Sequence, residues 1–138
     1  MIVRPIRTSD FAELFALVAR FATSFQPDEG AFEASARELI AKPDAWLQGA
    51  ELQGRLVGYG LGFDHPALYA NGRVSWLEEL MVAEGQRRAG VGRALMQAFE
   101  AWARTRGSRL VGLATRRAAR FYETLGYEES ATYYRRLL

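Results

Sequence analysis

The sequence predicts one α/β domain in which a mixed, mostly antiparallel sheet carries helices on both faces. The length of 138 residues suits a single domain with a sizeable core but not two domains. The spacing of apolar residues predicts strands and helices in the order β-α-α-β-β-β-α-β-α-β-β. A strand–helix–strand unit in the second half requires one parallel pair, whereas hairpins make the other pairs antiparallel. We therefore expect residues 1–138 to form one domain.

The first third of the chain is predicted to contain one short strand and two helices. Residues 2–7 form the strand, and Pro5 favours an edge position because proline cannot donate a hydrogen bond to a neighbouring strand. Thr8-Ser9-Asp10 offers capping side chains to a helix over residues 10–22, whose apolar residues recur at helical spacing. A second helix is expected over about 31–41. Its inward-facing residues are predicted to be Phe32, Ala36, Leu39 and Ile40.

Three strands are predicted in the middle of the chain. The first two cover residues 45–52 and 55–64, and Gln53-Gly54 joins them in a tight turn because glycine tolerates a positive φ. Residues 65–72 are predicted to form a loop, and residues 73–82 a long third strand. These strands supply most of the antiparallel part of the sheet.

The last third of the chain alternates helices and strands. A helix over residues 90–106 has an apolar stripe on one face. The run 110–114 is nearly all apolar, which is typical of a strand covered on both faces. A short helix over residues 116–125 follows, and residues 127–129 and 132–138 are predicted to form two closing strands.

The composition excludes several kinds of chemistry. The chain has no cysteine and a single histidine. It therefore cannot form a disulfide, a zinc site of the usual Cys/His type or a cysteine-bound acyl group, and we expect no metal. If the chain is a transferase, we expect the transferred group to pass directly from donor to acceptor. No apolar run approaches the roughly 20 residues of a membrane span, and the N-terminus lacks the apolar core of a signal peptide. We expect a cytoplasmic protein without a membrane partner.

Arginines are concentrated in one third of the chain, although the net charge is only +2. The members of this group are Arg87, Arg88, Arg93, Arg104, Arg106, Arg109, Arg116, Arg117 and Arg120. A solvated basic face would explain the pattern, and so would a polyanionic partner such as a phosphorylated cofactor or a nucleic acid. Because the arginines lie beside a loop suited to its own anionic ligand, we favour the cofactor and expect no nucleic acid.

The segment Arg87–Arg93 lies between the strand that ends near Val82 and the following helix. A helix N-terminus carries unpaired amide donors and the positive end of the dipole, and Gly90 and Gly92 let an anion approach the backbone closely. The segment lacks the Gly-Lys-Ser/Thr of a P-loop, and Leu95 stands where a dinucleotide fingerprint needs a small residue. A diphosphate suits this segment, although turn glycines beside a basic surface would give the same pattern.

Two motifs resemble those of one enzyme family. The spacing Arg-x-x-Gly-x-Gly, about five residues past a Leu-x-Val strand, resembles the acetyl-CoA loop of the GCN5-related N-acetyltransferases, the GNAT superfamily. The segment Ala118–Tyr127 resembles the Ala-x-x-Phe-Tyr-x-x-x-Gly-Phe pattern of that family. The resemblance covers essentially the whole chain, and the predicted order of elements is that of the superfamily.

The resemblance implies where acetyl-CoA binds. In such enzymes the main chain of the strand before the loop pairs with the pantetheine arm, a role that falls to Leu80, Met81 and Val82. The diphosphate lies on the loop and the start of the helix, which here are Arg87, Arg88, Ala89, Gly90, Val91, Gly92 and Arg93. Many relatives hold the pantetheine with an asparagine where this chain has Thr115, whose hydroxyl can still donate a hydrogen bond.

A tyrosine and two glutamates are the candidate catalytic residues. The tyrosine of the second motif often protonates the departing thiolate in this family, which implies that role for Tyr122. Tyr122 lies about 100° around the helix from the apolar face of Ala118 and Phe121, so it need not be a core residue. The attacking amine must lose a proton, and we expect Glu78 first and Glu79 second to accept it. The alternatives are a structural ion pair for a glutamate and a half-buried aromatic with a solvated hydroxyl for the tyrosine.

The acceptor side is the least defined part of the predicted site. Segments that usually shape the acceptor pocket in this fold supply four candidate wall residues: Phe25, Gln26, Tyr133 and Tyr134. His65 is a weaker candidate, because a lone histidine before a proline is usually a surface residue.

The sequence thus predicts an acetyl-CoA-dependent N-acetyltransferase whose acceptor is a primary amine of a small molecule or of a protein. A CoA-binding module of the same fold without catalysis is the alternative, and Thr115 leaves it open. The resemblance is also consistent with a homodimer.

Overall fold

The computed structural model of the protein describes residues 1–87 and 89–138, which form a five-stranded sheet and four α-helices. The strands are β1 (Ile2–Pro5), β2 (Ala45–Leu52), β3 (Arg55–Ala67), β4 (Gly72–Val82) and β5 (Ser108–Leu113). The helices are α1 (Phe11–Phe21), α2 (Glu29–Ala41), α3 (Val91–Thr105) and α4 (Ala119–Thr124). In this described part of the chain, no helix combines the length and the apolar character needed to cross a membrane.

The strands follow one another across the sheet in the order β1-β2-β3-β4-β5. Neighbouring strands from β1 to β4 are antiparallel, whereas β4 and β5 are parallel because α3 crosses over between them. The mixed sheet with helices on both faces confirms the predicted fold class. β1 is an edge strand, as Pro5 predicted.

The two faces of the sheet bury separate apolar clusters. The larger cluster joins α3 and α4 to one face and includes Leu95 and Phe99. The smaller cluster joins α1 to the opposite face and includes Leu14 and Tyr59. On the first face β3 lets α3 approach closely, because a Cβ at Gly62 would overlap the ring of Phe99. The sheet is therefore the middle layer of three.

A β-bulge at Glu78 changes the side-chain alternation of β4. In the ladder with β3, Glu79 lies opposite Leu61, while Leu77 lies opposite the next residue of β3. Glu78 is therefore the extra residue, and the side chains that follow it change faces. Leu77 and Leu80 both pack against the α3 side, whereas Glu79 lies on the side of α1 and α2. Strict alternation from the sequence does not predict this arrangement.

The two closing strands predicted for residues 127–129 and 132–138 are wrong. Residues 128–138, all of which the structure describes, are exposed and have no strand partner. The reason lies in the order of side chains, because tyrosines, arginines and leucines occur here in adjacent pairs. Strand alternation would put one member of each pair on each face, so neither face is apolar enough to be buried.

Other predicted elements differ in extent or exposure. β3 and β4 continue through most of the predicted loop 65–72, so the connection shrinks to residues 68–71. β5 is the last strand of the sheet, and Leu110 is 43% exposed instead of covered on both faces. In α2, Ala36 is buried as predicted, but Ile40 is 43% exposed because it lies at the last turn of the helix.

An ion cluster fastens the C-terminal end of α3 to the β3–β4 hairpin. The carboxylate of Asp64 is fully buried and accepts hydrogen bonds from Arg73 and from Arg106, the residue after α3. Burial alone would raise the pKa of Asp64, but the hydrogen bonds from the two arginines outweigh it and hold the pKa below its usual range. This cluster lies at the end of α3 opposite to the glycine-rich segment.

Candidate active site

The N-terminus of α3 leaves main-chain donors without a partner inside the helix. Gly90 precedes the helix with φ of 78°, a left-handed conformation that favours glycine, and its carbonyl accepts the hydrogen bond from Ala94. Among the residues that the structure describes, no side chain caps this end, and the first turn carries no acidic residue. The amides of Val91, Gly92 and Arg93 are thus open to an external acceptor, and the helix dipole favours an anion there.

Gly92 has a packing role that the sequence did not reveal. A Cβ at this position would lie 3.0 Å from Cζ of Phe121 and 3.7 Å from Cγ2 of Val82. The missing side chain therefore lets α4 pack across the first turn of α3 and the end of β4. At Gly90, by contrast, a Cβ would meet open space, so its conformation is what requires glycine there.

The cationic side chains of the loop face solvent. Arg87 and Arg93 are exposed, and Nε of Arg87 makes only a long 3.5 Å contact with the carbonyl oxygen of Val82. Arg88 was also predicted to bind the cofactor, but it lies outside the described residues. The surroundings of the helix N-terminus are therefore positively charged as well as rich in amide donors.

β4 separates from β5 shortly before it reaches this loop. The parallel ladder runs only from Arg73 to Leu77, which pairs with Leu113, while β4 itself continues to Val82. On its other side β4 stays paired with β3 through Val82. Within the described residues, the edge of Leu80 to Val82 that faces β5 is thus free of a strand partner. An extended, amide-containing ligand can hydrogen-bond to it as a further strand would.

Tyr122 is a core residue, contrary to the expectation from its position on the helix. It is buried among α3 and α4 side chains, and its ring packs edge-on against Phe121 at 4.9 Å and Tyr127 at 5.9 Å. The short helix α4 lies across α3 and the sheet, so more than one of its faces is covered. Burial raises the pKa of Tyr122 to about 12, which keeps the phenol protonated at neutral pH.

Thr115 supports the turn that leads into α4. Its Oγ1 accepts a hydrogen bond from the amide of Ala118 at 3.0 Å, and the side chain is exposed. The hydroxyl proton of Thr115 remains available for donation to a ligand.

The two glutamates of β4 have different surroundings. Oε1 of Glu79 accepts a 2.6 Å hydrogen bond from the hydroxyl of Tyr59, and the side chain lines a cavity of about 250 Å³ beneath α1 and α2. Burial raises the pKa of Glu79, the hydrogen bond from Tyr59 opposes this, and the charge of Glu78 adds to it. Glu78 is exposed on the bulge, where its Oε2 accepts a 2.9 Å hydrogen bond from the indole of Trp76.

The four predicted acceptor wall residues are exposed. Phe25 is 71% exposed and Tyr134 is 87% exposed, and Gln26 is exposed as well. Tyr133 stacks on Trp76 of β4, with ring centroids 6.4 Å apart. His65 is exposed in the hairpin at the end of β4 away from Val82, which agrees with a surface role.

Tyr59 is a site residue that the sequence interpretation missed. It occurs in the run Gly58-Tyr59-Gly60, in which a single tyrosine between two glycines of an apolar strand was the available signal. Its hydroxyl was not expected to meet a carboxylate, because the bulge that turns Glu79 toward it is not visible in the residue pattern. Among the described residues, no three His, Cys, Asp or Glu side chains gather in a way that could hold a metal ion.

A comparison with protein families identifies one match. A family model described as the acetyltransferase (GNAT) family matches residues 11–127. The match includes α1 to α4, the bulged strand and the glycine-rich loop, and it ends where the exposed C-terminal segment begins. No curated protein sequence matches the chain.

Solved structures share the fold over nearly the whole chain. A putative acetyltransferase from Agrobacterium tumefaciens str. C58 is 20% identical, with a TM-score of 0.89 over 100% of both chains. Glucosamine-6-phosphate N-acetyltransferase from Arabidopsis thaliana is 17% identical, with a TM-score of 0.87 over 99% of this chain and 97% of its own. The aminoglycoside N-acetyltransferase AAC(6')-Iy in complex with CoA is 19% identical, with a TM-score of 0.84 over 98% and 93%. At these identities the likeness shows the fold.

Proposed function

We propose that this chain, which belongs to the acetyltransferase (GNAT) family, transfers an acetyl group from acetyl-CoA directly to a primary amine. The observation that carries the proposal is the separation of β4 from β5 after Leu77, on a strand that leads through a short loop to the uncapped N-terminus of α3. One ligand with an amide-containing arm and a diphosphate satisfies both features. The CoA in the structure of the related aminoglycoside N-acetyltransferase supports the choice of donor.

The donor-binding residues follow from this geometry. The main chain of Leu80, Met81 and Val82 hydrogen-bonds the pantetheine arm, and the amides from Ala89 to Arg93 hold the diphosphate, with Arg87 nearby. Thr115 donates its free hydroxyl proton to the same arm. Acetyl-CoA supplies a thioester that a neutral amine can attack. The chain supplies orientation, because holding both reactants together accounts for much of the rate gain in such reactions.

We assign proton transfer to the half-buried Glu79 and the buried Tyr122. Glu79 accepts a proton from the incoming amine, ahead of Glu78, because it lies inside a cavity and its pKa is raised toward the range of a useful base. This reverses the order expected from the sequence. Tyr122 donates a proton to the departing sulfur, because its phenol, with a pKa raised to about 12, is protonated at neutral pH.

Titration calorimetry with acetyl-CoA tests donor binding. We expect micromolar affinity, and absence of heat at high micromolar ligand contradicts the proposal. Gly92→Ala should weaken binding several-fold, because the added methyl group lies 3.0 Å from the Phe121 ring and displaces α4 from the loop. Gly85→Ala is the matched control, since a Cβ there meets no atom within 4 Å.

Thiol release with a panel of amines tests transfer itself. The alternative function is a CoA-binding module without catalysis, which Thr115 leaves open because it stands where many relatives have an asparagine. Such a module binds acetyl-CoA and releases no thiol with any amine. An acetyltransferase releases thiol and yields one acetylated amine for each thiol.

A further inference from the structure

The cavity beside Glu79 has the size of a small organic group. It lies between α1, α2 and the sheet, has a volume of about 250 Å³, and is walled mainly by aliphatic and aromatic side chains. Leu14, Val18, Phe32, Leu39 and Leu61 are among them. The cavity is open to solvent on one side, so a ligand can enter it. A void of about 150 Å³ accommodates benzene, so this cavity has room for a six-membered ring with a short alkyl chain.

The described lining residues of the cavity include one half-buried carboxylate, that of Glu79, and no cationic side chain. Glu79 directs one carboxylate oxygen to the hydroxyl of Tyr59, which leaves its second oxygen available. Asp28 lies at the exposed rim, where its carboxylate accepts the amide of Ala31 and caps α2. A ligand ammonium that enters the cavity can pair with this half-buried carboxylate.

The cavity and the donor-binding edge meet at one point of β4. Glu79 directly precedes Leu80, which begins the part of the strand that is free of β5. The bulge at Glu78 turns the Glu79 side chain to the α1–α2 side, while the free main-chain edge lies in the plane of the sheet. An amine held at Glu79 is therefore next to the strand that binds the acetyl donor.

We propose that the acceptor is a primary amine that carries an apolar aryl or branched alkyl group, with this group in the cavity and the nitrogen at Glu79. The inference rests on the transferase activity proposed above and names its substrate class. An arylalkylamine with a two-carbon linker fits the size of the cavity and the position of the half-buried carboxylate of Glu79.

Polar acceptors fit this cavity poorly. The hydroxyls of an amino sugar would lose water against Leu14, Val18 and Phe32 and find few hydrogen-bond partners there, which disfavours their binding. The second cation of a polyamine would lie among the same side chains or reach Asp28 at the exposed rim, where pairing with a solvated carboxylate contributes little. The apolar lining of the cavity therefore favours amines that carry an apolar group.

A competition of acceptors tests the substrate class. Thiol release is measured with 2-phenylethylamine and isopentylamine, and with spermidine and glucosamine, at saturating acetyl-CoA. We expect kcat/KM at least tenfold higher for the two apolar amines. Equal or higher values for spermidine or glucosamine overturn the inference.

Binding measurements separate this inference from the proposed function. Titration of the protein with 2-phenylethylamine in the presence of CoA reports the cavity without turnover. If acetyl-CoA fails to bind, the proposed function fails, whatever the amine does. If acetyl-CoA binds and 2-phenylethylamine does not, the inference alone fails.

A pair of substitutions on α2 locates the binding site. Ala36 is buried and lines the cavity, so Ala36→Leu fills it and should raise KM for 2-phenylethylamine at least tenfold while leaving KM for ethylamine nearly unchanged. Ala34→Leu places the same side chain on the exposed face of α2 and should change neither value. Equal effects of the two substitutions contradict the proposed location. If Ala36→Leu does not fold, Leu39→Ala enlarges the cavity instead and should shift preference toward bulkier amines, and an unchanged preference contradicts the proposal.

Discussion

Glu79 illustrates how one residue depends on its surroundings. Burial raises its pKa above the roughly 4.3 of an ordinary glutamate, with Tyr59 and Glu78 as the polar groups that face it. A base acts only when it is deprotonated, so kcat/KM of the wild type should rise with pH through this raised pKa. Glu79→Gln should lower kcat by about 100-fold and remove this acid limb from the pH profile.

Glu78→Gln is the comparison for this experiment, because Glu78 is exposed and hydrogen-bonded to Trp76. We expect a smaller loss of kcat and an acid limb that stays in place. A larger loss for Glu78→Gln than for Glu79→Gln would restore the order of the two bases that the sequence favours.

A single substitution at Tyr122 tests the second proposed catalytic residue. Tyr122→Phe removes only the hydroxyl from a buried ring, so the α3–α4 packing and acetyl-CoA affinity should be kept while kcat falls by about 100-fold. Tyr127→Phe is the matched control, since it deletes the 2.6 Å hydrogen bond to Glu100 and should cost about 1 kcal/mol of stability with kcat unchanged. Steady-state kinetics, calorimetry and thermal unfolding distinguish these results. An unchanged kcat for Tyr122→Phe would mean that Tyr122 packs in the core and does not donate the proton to sulfur.

At the scale of elements, Asp64 ties β3, β4 and α3 together. Its pKa is lowered in the folded state, so the stability it contributes is present above about pH 4 and is lost as pH falls through the folded pKa. Asp64→Asn should lower the free energy of unfolding by about 3 kcal/mol at neutral pH, since it leaves two arginines without their shared anion. The difference in the free energy of unfolding between Asp64→Asn and the wild type should become smaller at acidic pH.

Urea unfolding at neutral and acidic pH measures this effect. Glu33→Gln is the control, because its ion pair with Arg37 is exposed and should contribute at most about 0.5 kcal/mol. A loss for Asp64→Asn that does not depend on pH contradicts an electrostatic role for the cluster.

Most elements were predictable because local patterns decide them. β2 has the predicted bounds, and α3 differs by one residue at each end, since alternation, helical spacing and flanking glycines all agree there. The bulge at Glu78 was not predictable, because it depends on pairing with β3 and leaves no trace in the pattern of β4. The burial of Tyr122 likewise follows from how α4 lies on its neighbours. The donor loop was found from the sequence, whereas the cavity required the packing of three elements.

At the scale of the whole molecule, the exposed C-terminal segment bears on oligomeric state. Four of its apolar residues are largely exposed: Tyr133, Tyr134, Leu137 and Leu138. The segment also has acidic residues at one end, Glu128 and Glu129, and basic residues at the other, Arg135 and Arg136. If two copies pair these segments antiparallel about Thr132, each glutamate lies opposite an arginine, the arrangement that stabilises cross-strand pairs. Such pairing would replace the 2.8 Å hydrogen bond from Arg135 to Ser24 and the stacking of Tyr133 on Trp76 within one chain.

We therefore expect a homodimer formed through residues 128–138, with a mass by light scattering twice that of the chain. The double substitution Arg135→Glu and Arg136→Glu sets like charges opposite each other across the twofold axis and should yield monomers. Adding Glu128→Arg and Glu129→Arg reverses both ends and should restore the dimer, because the complementarity returns with opposite sign. Truncation after Tyr127 should give a folded monomer that still binds acetyl-CoA, since the donor-binding residues precede that point. A monomeric full-length chain, or a dimer that survives truncation, contradicts this assembly.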